Sequence, residues 1–237
     1  MAAITVIAWL YIVLVAGRDM LSMPQDMVMP FQPWGWADFG LMLAMWAAMM
    51  VGMMLPSAAP TILVFSAFTR RQRQNGQVMA PTSAFLAGYI IVWSAFSIGA
   101  TLLQWGLESA AVMSPMMVAT SRLLGSGLLL AAGLYQFTAF KRSCLGHCRS
   151  PLDFVARNFR PGTGGALRMG IEHGAFCVGC CWVLMGLLFF AGVMNLVAVA
   201  AIAAFVLLEK VTPYGALIRR VSGFLFVVAG LVVLFGG

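Results

Sequence analysis

Residues 167–190 read LRMGIEHGAFCVGCCWVLMGLLFF. The run has two charged residues, Arg168 and Glu172, both near its start. About 20 predominantly apolar residues suffice for a helix to cross the hydrocarbon core of a bilayer, so the stretch predicts a transmembrane helix. Wound at about 100° per residue, it brings His173, Cys177, Cys180 and Cys181 to one side. Met169 extends this stripe by one turn. Single cysteines pack well in helices as small apolar residues. Ionisable groups inside a span, however, usually face the bundle interior and mark a site, so an imidazole and three thiols on one side predict a metal or redox centre. Glu172 lies beside the stripe, either as a functional carboxylate or as the partner of a nearby arginine.

The same apolarity continues outward in both directions. Of the 237 residues, 62% are hydrophobic and 9% charged, with a mean hydropathy of +0.96; a soluble domain has about 45–50% and about 25%. Further apolar runs occur at 2–17, 38–68, 82–107, 117–140, 192–208 and 216–236, which makes seven candidate spans, or six if a short one is discounted. Residues 1–17 carry no Lys or Arg ahead of the apolar stretch and read as a retained span, not a signal peptide. Twelve of the fourteen basic residues fall in three loops on one face: Arg70, Arg71 and Arg73; Lys141 to Arg168; and Lys210, Arg219 and Arg220. The positive-inside rule puts that face and the N-terminus in the cytoplasm. The expected fold is all-α, one transmembrane domain over 1–237, with a basic cytoplasmic loop at 141–166. Orientation in the bilayer accounts for the net charge of +7, so nucleic acid is not an expected partner.

Within that loop Ser150 suits an N-cap, Pro151 the first helical position, and Asp153 the helix dipole. A short interfacial helix follows, with Leu152, Val155, Ala156 and Phe159 on its apolar side and Arg157 and Arg160 free for lipid phosphates. Just before it stands Cys144-Leu145-Gly146-His147-Cys148, whose Cys144, His147 and Cys148 have the spacing of a two- or three-ligand soft-metal site. The spacing reads as two separate groups: an intramembrane centre and a transfer pair at the inner surface.

Methionine is the third signal, with 18 in the chain and ten between Met20 and Met54. Met42, Met49 and Met53 share one face of the second span, where packing explains them as well as ligation does. Met20, Met23, Met27 and Met29 fall in an outer loop with Asp19 and Asp26, and thioethers there would select Cu(I) over hard ions. Gly125, Gly127, Ala131, Ala132 and Gly133 would allow close helix packing within the bundle or with a partner. Residues 122–134 and 219–231 resemble each other weakly, each running from Arg through Gly into Ala-Gly-Leu. No HExxH, P-loop, GxSxG or dinucleotide motif is present.

Met53-Met54-Leu55-Pro56-Ser57-Ala58-Ala59-Pro60, Cys144-Leu145-Gly146-His147-Cys148-Arg149-Ser150-Pro151, His173-Gly174-Ala175-Phe176-Cys177-Val178-Gly179-Cys180-Cys181-Trp182 and Leu208-Glu209-Lys210 resemble the bacterial predicted metal-binding integral membrane proteins of unknown function. The likeness runs from about 38 to 212 and implies a polytopic metal-binding protein whose five cysteines match the family's motifs. The expected function is binding of a soft metal, Cu(I), for transport or for delivery to a membrane or periplasmic partner, not catalysis. The alternatives are a membrane thiol–disulfide oxidoreductase, for which Cys177-Val178-Gly179-Cys180 has the redox spacing, and an accessory subunit of a larger enzyme.

Overall fold

The computed structural model describes residues 2–22, 34–74, 80–110, 122–193 and 195–236, and among these every element is a helix. They are α1 (Ala2–Ser22), α2 (Trp36–Gln74), α3 (Thr82–Ser109), α4 (Arg122–Phe137), α5 (Ala139–Arg149), α6 (Pro151–Asn158), α7 (Gly162–Gly186), α8 (Leu188–Ala191), α9 (Leu196–Val211) and α10 (Gly215–Phe235). By length and composition α2, α3, α7 continued by α8, and α10 can cross a membrane; α4 with α5, bent by 67°, would make a fifth. Each of the seven apolar runs contains a helix, but α9 has 16 residues and the apolar part of α1 is Ala2–Leu14.

Two close approaches set the register. Gly88 and Gly170 let α3 and α7 touch backbone to backbone: a Cβ on Gly88 would strike the Leu167 carbonyl oxygen, and one on Gly170 that of Phe85. Gly133 and Gly223 do the same for α4 and α10, where a Cβ on Gly133 would stand 2.8 Å from the Gly223 oxygen. The two weakly similar stretches thus pack antiparallel on each other, and of the small residues of α4, Gly125, Ala132 and Gly133 are buried within the bundle while Gly127 and Ala131 are exposed.

Pro56 and Pro60 lie inside α2. Pro56 has no N–H to give the Gly52 carbonyl, and the Trp9 indole of α1 donates to that oxygen instead, at 3.2 Å. At the start of α5 the Thr138 hydroxyl accepts the Lys141 N–H at 3.2 Å, capping the helix where the chain turns away from α4. Pro151 opens α6 as expected, but Ser150 makes no side-chain cap. The buried residues of α6 are Phe154 and Val155, while Leu152 and Ala156 are exposed. The helix packs against both α2 and α5, and those two neighbours, not an apolar stripe of its own, decide which residues are covered.

Polarity is inverted relative to a soluble protein. Large apolar side chains such as Leu103, Val197, Phe224 and Phe235 are exposed, while Ser97, Thr101, Gln104, Lys141, Glu209 and Lys210 are buried.

Candidate metal centre

The α3–α7 contact at Gly88 and Gly170 brings the next turns of both helices together. Tyr89 thereby reaches Cys177: its hydroxyl lies 3.1 Å from the Cys177 sulfur and 3.0 Å from the Met54 carbonyl oxygen. From the last turn of α9 the Lys210 ammonium donates to the Cys177 sulfur at 2.9 Å and to the Ser57 hydroxyl at 3.0 Å. Groups from α3 and α9 therefore meet at one sulfur of α7, and α2 holds both of them through the Met54 carbonyl and the Ser57 hydroxyl. A buried ammonium against a sulfur is the charge complement of a thiolate.

The α4–α5 bend adds the remaining cysteines. Lys141, Cys144, Leu145 and Cys148 form the buried face of α5, at helical spacing, and that face lies on α7. Gly179 makes room for it, since a Cβ there would stand 2.9 Å from the Cys144 sulfur. Cys148, one turn on from Cys144, is buried on the same face of α5. Cys180 and Cys181 turn back to donate to the Cys177 carbonyl, at 3.1 and 2.9 Å, and Cys181 also stands 3.9 Å from the Met54 sulfur. The two groups read apart in the sequence thus lie on two helices packed against each other, and all five cysteines are free and buried.

The other candidate residues divide. His173 is buried one turn before Cys177, among the rings of Phe85, Tyr89 and Phe154, and its Nδ1 has no hydrogen-bond partner. His147 is exposed at the edge of the α5–α7 contact, its ring stacked on Phe176 of α7 with centroids 4.1 Å apart and its Nδ1 2.9 Å from the Ser143 carbonyl oxygen. Met49 and Met53 are buried and Met42 half-buried on α2. Met23, Met27 and Met29 lie outside the described residues, and of Met20 only the backbone, near the end of α1, is described. Glu172 is the arginine partner, bound to Arg160 at 3.0 Å and Arg168 at 3.1 Å; Arg160 is therefore engaged within the protein.

Spacing did not reveal Tyr89, Ser57 and Lys210, nor the buried pair of Lys141 and Glu209 at 2.9 Å. The available signal was Leu208-Glu209-Lys210, two charges closing an apolar run. Among the described residues no three His, Cys, Asp or Glu side chains already stand as a metal cage; Cys180 and Cys181 must turn away from the Cys177 carbonyl for their sulfurs to converge.

These features define a class: an all-helical protein, apolar outside, with a cluster of soft sulfur ligands at its centre. The chain matches the family model described as "PpoB2: Copper chaperone" over residues 43–233, and it belongs to that family. The matched range includes all five cysteines and Lys210 and begins after Met42. No curated protein and no solved structure matches the chain.

Proposed function

We propose that this protein is a multi-pass copper chaperone of the bacterial inner membrane that holds Cu(I) on the cysteine cluster and hands it to a protein partner. The observation that carries the reading is the packing of two helices that bear five buried, free thiols, with the Lys210 ammonium against Cys177. Thiolates are the ligands of choice for Cu(I). If Cys177 enters as the thiolate and one of Cys148, Cys180 or Cys181 as the thiol, binding of one Cu(I) forms two Cu–S bonds and releases one proton. The resulting bis-thiolate complex carries one negative charge, which Lys210 balances in surroundings that would otherwise penalise it. Met54 and the free Nδ1 of His173 are further ligands within the same region.

The apolar exterior supports the membrane setting. The reading takes α1, α2, α3, α4, α7, α9 and α10 as seven spans, with the N-terminus and the basic loops in the cytoplasm. The cluster then belongs to the cytoplasmic half. Anaerobic Cu(I) titration of the purified full chain in lipid nanodiscs, with thiols counted on the same sample, tests the function. The expected result is copper bound with all five thiols reduced and protected from alkylation. A disulfide among Cys148, Cys177 and Cys180 with no bound copper would overturn it in favour of thiol redox chemistry.

A further inference from the structure

A second polar feature lies far from the cysteines, along the seam between α2 and α3. Trp93, Ser97, Thr101, Gln104 and Glu108 occupy one side of α3, at offsets of 4, 8, 11 and 15 from Trp93, and all five are buried. The Ser97 hydroxyl donates to the Trp93 carbonyl at 2.8 Å and that of Thr101 to the Ser97 carbonyl at 2.9 Å. Their protons are thus spent, and both oxygens keep lone pairs inside the bundle. The Trp93 Nε1 has no partner at all.

Two fastenings fix how α2 lies on this stripe. At one end Tyr89 bonds the Met54 carbonyl, beside Cys177. At the other, Trp46 Nε1 donates to Gln104 Oε1 at 2.7 Å, and Gln104 Nε2 faces the Met42 sulfur at 3.8 Å. On α2, Met42, Met49, Met50, Met53 and Met54 stand at helical spacing between those fastenings, four of them fully covered. From Tyr89 to Glu108 the helix rises about 28 Å, close to the hydrocarbon thickness of a bilayer.

The far end is an anionic pocket. Glu108 is only 8% exposed. Its Oε2 accepts from Trp34 Nε1 and its Oε1 from Gln104 Nε2, each at 2.9 Å. Both oxygens are therefore held by N–H donors, the arrangement that suits a carboxylate, yet among the described residues no cation pairs with it. The Gln104 amide that holds Glu108 also faces the Met42 sulfur, so turning that one side chain would leave a buried carboxylate and a thioether facing the same space, a donor pair suited to a soft cation.

We propose that Glu108, Gln104 and Met42 form a second copper-holding site, a port from which the ion passes along the α2 methionines to Cys181 and Cys177. This rests on the reading of the cysteine cluster as the main copper site. The carboxylate supplies charge and the thioether selects a soft ion, while the Gln104 carbonyl oxygen completes the set once Trp46 releases it. Beyond the port, thioethers bind without exchanging protons, so an ion can move among them with no proton step. At the near end the Met54 sulfur stands 3.9 Å from Cys181, where thioether ligation can give way to thiolate.

The test uses the full chain in lipid nanodiscs under anaerobic conditions, titrated with Cu(I) against a coloured chelator, with Glu108→Gln, Met42→Leu and Cys177→Ser variants. The parent should take up a tight ion and a weaker one. Glu108→Gln and Met42→Leu should each lose the weaker ion by at least about tenfold in affinity and keep the tight one. Each should also slow loading of the cysteines, read as protection from alkylation. Met42→Leu leaves the hydrogen bonds of Glu108 to Trp34 and Gln104 intact, so its result stands even if Glu108→Gln fails to fold. Cys177→Ser should do the reverse, losing the tight ion and keeping the weaker. A parent with no weaker ion, or a Met42→Leu variant that binds and loads like the parent, would overturn the port. Retention of the tight ion by Cys177→Ser would instead overturn the cysteine reading and leave the port to be judged on its own variants.

Discussion

Cys177 is the residue on which most of the site depends, because Tyr89 and Lys210 both address its sulfur and the α5 face that bears Cys148 packs on its helix. Cys177→Ser and Cys148→Ser are therefore expected to lose the tightly held copper together, measured by competition with a Cu(I) chelator; binding undiminished in Cys148→Ser would confine the site to α7. Lys210→Met keeps the length of the side chain and removes its charge. Hydrogen bonds to charged groups contribute about 1.5–3 kcal/mol, so Cu(I) affinity should fall about ten- to a hundredfold while helicity and thiol count stay unchanged. The stripe of His173, Cys177, Cys180 and Cys181 was legible in the sequence because a helix converts spacing directly into direction. Lys210 and Ser57 were not, since their hydrogen bond joins residues 153 apart in the chain and no local pattern encodes it. The stacking of His147 on Phe176 was hidden for the same reason, since it joins residues of two different helices.

Among the elements, α5 and its partners decide whether the cysteines meet. One clamp is the Lys141–Glu209 pair, buried on both sides, which ties α5 to α9. Breaking a buried pair from one side costs about 3–5 kcal/mol, whereas replacing both partners by apolar residues is close to neutral. Lys141→Met should accordingly lower stability by that amount in a thermal or denaturant unfolding measurement, and Lys141→Met with Glu209→Leu should recover most of it. The other determinant is the α3–α7 crossing. Gly170→Ala forces a methyl group against the Phe85 backbone, and overpacking of this kind costs about 1–3 kcal/mol. Tyr89 should then retreat from Cys177, seen as faster alkylation of that thiol. The helices themselves were evident from apolar run length. The fold-back of α5 was not, because the 141–166 segment is polar enough to read as a solvated loop, and its buried face is recognisable only once Gly179 is seen to receive Cys144.

For the whole molecule, the exposed apolar surface and the interior line of Lys, Glu, Gln, Ser and Thr fit a chain whose solvent is lipid. A reporter active only outside the cytoplasm should work when fused after Gly237 and stay silent when inserted within residues 72–77; the opposite pattern would reverse the orientation, and a silent C-terminal fusion alone would indicate six spans. A copper role was read from the cysteines and methionines, and membership of a copper chaperone family supports that role without testing the ligands. The 67° bend at Thr138 has one more implication. Cys144 and Cys148 ride on α5 while Cys177, Cys180 and Cys181 ride on α7, so the number of sulfurs that can surround an ion is set by the angle of a single joint. A docking protein that prised α5 away would leave the cargo under-coordinated, and release would then follow from leverage on a short arm without unfolding the bundle.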